Sequence, residues 1–261
     1  MNFPEYFDIH SHINDAAFDG DRVETIRRMA EAGVATLVVG TDEKMSQDAV
    51  AIASQNENIW AVVGLHPTDT DEGFRAEVYR DLLHHSKTVG VGECGLDYYR
   101  MKEDTEAERK RQKNVFEAQL ELAVETGKPL MIHCRDAHED MLSILESKKK
   151  SYGEKLWGNI HFFTASPEAA SRYFNLEFTI SFTGVLTFTH DYDEVVRFAP
   201  LSMIQSETDS PYVSPVPYRG SRNEPTHVRE VVKKIAEIRG EDLEKVRHSL
   251  LENTVRVFRL G

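Results

Sequence analysis

A chain of 261 residues, 40% hydrophobic and 29% charged, has the make-up of an ordinary water-soluble globular protein. No apolar run approaches the roughly 18 to 20 residues that a membrane-crossing helix needs, and a net charge of −13 argues against a general nucleic-acid binder built on many phosphate contacts. An enzyme that draws one strand end into a locally positive, metal-filled cleft stays open. The two cysteines, Cys94 and Cys134, each fall inside a strand-like run, and Met1–Tyr6 has no leader-like pattern. A cytoplasmic monomer without disulfides, off the membrane, is expected.

Short β-branched runs alternate with helix-period segments, and no repeat or linker divides the chain, so residues 1–261 read as one domain. The first run, Tyr6–His10, leads into His10-Ser11-His12. Side chains alternate faces along a strand, so the two histidines project together from its end. A helix is predicted over Asp21–Gly33, with Val23, Ile26, Met29 and Ala30 on one face and Gly33 as its stop. Further runs follow at Ala35–Gly40, Trp60–Leu65, Thr88–Glu93, Pro129–Cys134, Gly158–Phe163, Phe178–Phe182 and Ser202–Glu207. Glu106–Gly127 reads as a helix with Phe116, Leu120 and Ala123 aligned. Val228, Val231, Val232, Ile235 and Ile238 form an apolar stripe ending at Gly240, and a last helix is predicted from about Asp242 to Arg259. Eight such runs are the number that closes a TIM-type (β/α)8 barrel of the α/β class. An open, doubly wound sheet is the alternative.

The polar residues favour the barrel. Predicted strands end in His10 and His12, in His66, in Glu93, in His133 and Arg135, in His161, and in Glu207 with Asp209 nearby. A barrel gathers the carboxyl ends of all its strands on one face. Charged groups near that mouth are costly unless paired or metal-bound, and four histidines with two carboxylates can hold two ions. Cys94 and Cys134 directly follow such residues, so alternation aims them away as core thiols.

The motifs Phe7-Asp8-x-His10-x-His12, Gly92-Glu93-x-Gly95-Leu96-Asp97-Tyr98-Tyr99, Ile132-His133-x-Arg135-Asp136-Ala137, Ile160-His161-x-Phe163-Thr164 and Glu207-Thr208-Asp209-Ser210-Pro211-Tyr212 strongly resemble the TatD family of metal-dependent deoxyribonucleases, within the amidohydrolase-like barrels. Arg219-Gly220-x-Arg222-Asn223-Glu224-Pro225 resembles that family's phosphate-side motif. The resemblance spans Phe7 to Phe258 and implies metal-dependent phosphodiester cleavage in DNA. It implies that His10, His12, Glu93 and Asp209 surround one metal, that His133 and His161 bind a second, and that Glu93 bridges them. His66 and Glu207 would serve substrate or catalysis, His66 at phosphate and Glu207 behind the ligands. Phe162 stands where the family commonly has cysteine and Ala165 where it commonly has glycine, which bears on substrate contacts near strand six.

Two metals about 3.5 to 4 Å apart clamp the attacking and leaving oxygens of an in-line displacement. The divalent ions would be zinc, manganese or magnesium. Asp209 is the expected general base or water-orienting group, with Arg135, Arg219 and Arg222 as the phosphate contacts; Asn223 would cap or orient its loop. The leading reading is a 3′–5′ exonuclease or endonuclease on DNA. The alternative is a metal-dependent ester or amide hydrolase, such as a D-aminoacyl-tRNA deacylase. A metal-binding protein without turnover is a third reading.

Overall fold

The computed structural model describes residues 4–69, 73–101 and 105–260; Met1–Phe3, on which the leader expectation partly rests, lie outside them. Its strands are β1 (Tyr6–Ser11), β2 (Val34–Val39), β3 (Ile59–Val63), β4 (Thr88–Asp97), β5 (Leu130–Arg135), β6 (Gly158–Ile160), β7 (Phe178–Phe182) and β8 (Ile204–Ser206). They pair in chain order, β1 through β8, and every pairing is parallel. The barrel is nearly closed by a bridge between Ser11 and Ser210, with Asp209 N donating to His10 O at 2.9 Å and His12 N to Ser210 O at 2.7 Å. The predicted runs and the observed strands coincide within a few residues. The largest change is β4, which continues past Glu93 to Asp97.

Helices cover the outer face: α1 (Arg22–Glu31), α2 (Glu43–Ser54), α3 (Ala76–Leu83), α4 (Glu106–Thr126), α5 (His138–Tyr152), α6 (Pro167–Asn175), α7 (Asp193–Phe198), α8 (Val228–Arg239) and α9 (Leu243–Phe258). Their boundaries follow local chemistry. The Thr105 side chain accepts from Glu108 N at the start of α4, and Gly127, at φ 64°, ends that helix in the left-handed conformation a glycine takes most cheaply. Phe116 and Leu120 of α4 pack with Val91, Leu96 and Ile132 in the largest apolar cluster. A second cluster, with Phe7, Val89, Met131, Trp60 and Trp157, joins strand beginnings to Leu251 and Val257 of α9. That plugs the end of the barrel opposite the strand termini. No described helix is long and apolar enough to cross a membrane.

Candidate metal centre

The predicted ligands converge. Around one point, His10 Nε2 lies 3.1 Å from His12 Nε2, 3.4 Å from Glu93 Oε2 and 3.9 Å from Asp209 Oδ1. His12 Nε2 lies 3.7 Å from Glu93 Oε2 and 3.5 Å from Asp209 Oδ1. A tetrahedron with bonds of about 2.0–2.1 Å has edges of about 3.3 Å, so these spacings suit one cation. Around a second point, Glu93 Oε1 lies 2.8 Å from His133 Nδ1 and 2.9 Å from His161 Nε2, with 3.2 Å between the two nitrogens. Glu93 offers one oxygen to each group and so joins them.

Hydrogen bonds on the far sides of the rings fix which nitrogen is bare. His12 Nδ1 meets Val39 O at 3.0 Å, and His133 Nε2 meets Asp97 Oδ2 at 2.9 Å. Only a protonated nitrogen satisfies such acceptors, which leaves His12 Nε2 and His133 Nδ1 as lone pairs facing the cluster. A lone pair 2.8 Å from a carboxylate oxygen is repulsive unless a proton or a cation lies between them. Nδ1 of His10 and Nδ1 of His161 are buried without a hydrogen-bond partner among the described residues. The donor set therefore fits two divalent cations.

Burial opposes charge on every one of these groups. At Glu93 and Asp209 the surrounding histidines outweigh it, and both carboxyls sit below their ordinary range, Glu93 well below. Burial is likewise outweighed at His12, His133 and His161, which the carboxylates hold above the usual imidazole value. At His10 burial and the neighbouring His161 prevail and lower it. The carboxylates are thus ionised at neutral pH, the form that binds metal.

Behind these donors stands a polar frame. Asp97, fully buried, orients His133 and accepts from Arg100 N at 2.7 Å. Asp8 takes Thr208 N at 2.8 Å and Thr208 Oγ1 at 2.6 Å, tying β1 to the segment that carries Asp209. Glu207 accepts from Phe162 N at 2.6 Å and Ser181 Oγ at 2.9 Å, with His161 Nδ1 at 3.6 Å. Gly95 sits at φ 145°, and a Cβ there would run into the His133 carbonyl, so glycine is what lets β4 bring Glu93 beside β5.

The remaining predicted residues divide. His66 lines the pocket; Thr68 N donates to its Nδ1 at 3.2 Å, which leaves Nε2–H as a donor 3.4 Å from Glu93 Oε1. Arg135 also lines the pocket. Arg222 is committed elsewhere, making two 2.7 Å bonds to Asp21 and one of 3.1 Å to Glu224. Arg219 donates to Ser214 O at 3.0 Å and lies over the Phe188 ring. Neither reaches the pocket lining, because their loop folds back onto α1 and onto itself. Asn223 holds that loop through Thr208 O at 2.9 Å and Tyr212 O at 2.6 Å. Sequence reading quoted Asp97 and Asp8 within motifs but gave them no role, and it missed Arg100, which lines the pocket. A carboxylate on the same strand as a candidate donor, two residues from His10 for Asp8 and four from Glu93 for Asp97, was the available signal for the first two. Cys94 is buried with its thiol pushed up by burial; Cys134, raised to about 12 by burial, forms part of the pocket wall but belongs to neither ligand group.

His12, Glu93, His133, His161 and Asp209 line an open pocket of about 1050 Å³, together with Thr41, Tyr99 and Tyr212. The family model described as TatD related DNase matches residues 7–259. The chain belongs to the TatD family. It is 36% identical over 260 residues to the uncharacterized metal-dependent hydrolase YabD of Bacillus subtilis, covering 98% of this chain and 99% of that one. It is 34% identical over 247 residues to a 3′–5′ ssDNA/RNA exonuclease TatD of Shigella flexneri, covering 90% and 92%. A crystal structure of a TatD homologue from Escherichia coli, YjjV, superposes with a TM-score of 0.89 at 26% identity, covering 99% of this chain and all of that one. As a TatD family protein with this buried donor set, the chain is a metal-dependent hydrolase.

Proposed function

We propose that this hydrolase is a 3′–5′ exonuclease that cleaves the terminal phosphodiester of single-stranded DNA or RNA. The observation that carries the reading is Glu93, whose two oxygens serve two donor groups beneath an open pocket. The exonuclease activity named for the Shigella relative supports it at 34% identity over most of both chains. Bound at these two groups, divalent cations would supply Lewis acidity to a phosphoryl oxygen and acidify a water. Asp209, whose side chain is 13% exposed, would orient that water and accept its proton. His66 offers Nε2–H to a phosphate oxygen, and the guanidinium of Arg135 offers planar donors. Asp97 holds His133 in its ligating tautomer throughout.

The test is digestion of 5′-labelled single-stranded DNA, single-stranded RNA and duplex DNA by metal-reconstituted protein, beside Glu93→Gln and Asp209→Asn purified identically. A ladder shortening from the 3′ end, made by wild type alone, is expected. Equal cleavage by all three proteins would mean contamination. A wild type that cuts no strand but deacylates D-aminoacyl-tRNA would replace the nuclease reading with the deacylase one.

A further inference from the structure

The described residues include eight large apolar side chains that are exposed: Val23, Tyr99, Phe188, Phe198, Tyr212, Val216, Tyr218 and Leu243. Five of them, Tyr99, Phe188, Tyr212, Val216 and Tyr218, sit on loops that follow β4, β7 and β8, on the side of the barrel where the pocket opens. Tyr99 is 64% exposed and Tyr212 55%, yet both line the pocket. They neighbour different parts of the donor cluster. Tyr212 follows Asp209 and meets His12 edge-on, with ring centroids 6.4 Å apart. Tyr99 follows Asp97, the partner of His133, and carries the Arg135 guanidinium 4.1 Å from its ring centroid. No carboxylate among the described residues pairs with Arg135. Tyr98, next in sequence, is a contrast: its hydroxyl donates to Asp140 at 2.7 Å and the ring is partly buried in packing.

We infer that Tyr99 and Tyr212 are stacking platforms for the two unpaired bases that flank the scissile phosphate, with Arg135 held on Tyr99 to meet the phosphate between them. This rests on the phosphodiester reading above. Its physical basis is the way an acidic chain has to bind a polyanion. With a net charge of −13, and Arg100 and Arg135 as the permanent cations among the described lining residues, phosphate attraction supplies little affinity. Base–aromatic stacking depends little on salt and accepts any base, since every base has a π face. Bases already stacked in a duplex do not present that face, and the ligand-bearing floor is buried, so the same two rings select frayed or single-stranded ends.

The test measures binding by anisotropy, using a 5′-fluorescein single-stranded oligonucleotide with phosphorothioate linkages, with and without added divalent ion. A matched strand carries abasic residues at its last two 3′ positions. Tyr99→Ala and Tyr212→Ala are each expected to weaken binding of the base-bearing strand by at least about fivefold. Tyr99→Phe should restore it; on the abasic strand Tyr212→Ala should cost nothing further, and Tyr99→Ala should cost less than on the base-bearing strand, since only its hold on Arg135 is then lost. Phe198→Ala, an exposed aromatic on α7, is the control that should change nothing. The salt slope should be shallow, about −1.4 for two phosphate contacts on a single strand, and unaltered by Tyr212→Ala. Equal losses on both strands, or none, would overturn the proposal. Base-dependent, Tyr99-dependent binding by a wild type that releases no nucleotide from an unmodified strand would sink the exonuclease reading and leave the stacking site standing. Absence of base-dependent binding removes the stacking site, whatever cleavage shows.

Discussion

Replacing Asp97 by asparagine should weaken one metal position and spare the other. Asp97 is wholly buried and its Oδ2 lies 2.9 Å from His133 Nε2, while Oδ1 already accepts from Arg100 N. Asparagine keeps an acceptor for Arg100 but turns its amide N–H₂ toward His133. A donor there calls for a bare Nε2 and moves the ring proton to Nδ1, the atom that faces Glu93 and His161. Outer partners of metal-binding histidines are worth about 10–100-fold in affinity, or roughly 1.4–2.7 kcal/mol. Competition titration with a coloured zinc chelator would read two sites in wild type. In the variant, the site built on His133 and His161 should weaken by that factor, while the one built on His10, His12 and Asp209 keeps its affinity. Loss of both sites together, with an unchanged melting temperature, would refute the tautomer argument. So would two unaltered sites.

Glu93→Gln should cost both sites together, since each of its oxygens serves a different donor group; a chelator titration that still finds one tight site would contradict this. Gly95→Ala should destabilise the fold strongly, by roughly 3 kcal/mol or more, because its Cβ meets the His133 carbonyl at a φ of 145°; thermal unfolding measures it. Arg222→Ala should lower the melting temperature by a few degrees, through loss of its ties to Asp21 and Glu224, and leave the chelator titration as in wild type. His138, partly buried against Phe163 and Tyr173, has a pKa lowered by burial to about 4. Its folded form resists protonation, so the stability it contributes is complete above the unfolded value of about 6.5 and is lost as pH falls toward 4. The span of about 2.5 units corresponds to at most roughly 3 kcal/mol. Urea unfolding of wild type and His138→Phe at pH 7 and pH 4.5 should show the variant losing less on acidification.

The barrel was legible because strand pattern and strand number are both written in local sequence. Phe178–Phe182 was delimited without error, and Gly33, Gly127 and Gly240 marked helix ends that the structure places in the left-handed region. Helices α2, α3, α5, α6 and α7 were not separately delimited. The last of these is only six residues long, and α5 ends in a lysine run that hides its apolar face. The candidate donors could be picked out because most lie at or just past the end of a predicted strand, and one topology brings those ends together; in the structure Glu93 lies within β4 and Asp209 three residues past β8. Arg222 was misread because the motif carried its residue type and not its neighbours: Asp21 lies 201 residues away in sequence. The same holds for two histidines on helical segments: His138 faces Tyr173, and His227 stacks on Tyr218 at 3.8 Å. Pairings that close only in three dimensions leave no mark in periodicity.

The seam between β8 and β1 has a consequence for how the protein is made. His10 and His12 are synthesised some two hundred residues before Asp209 and the Thr208 that grips Asp8. Until then the first strand has no last strand beside it, and the two histidines have no Asp209 carboxylate near them. Premature termination anywhere before Asp209 yields a product that lacks the fourth donor and the bonds that close the ring. The donor cluster is therefore assembled only when the β8 end of the barrel has been made and has closed onto β1.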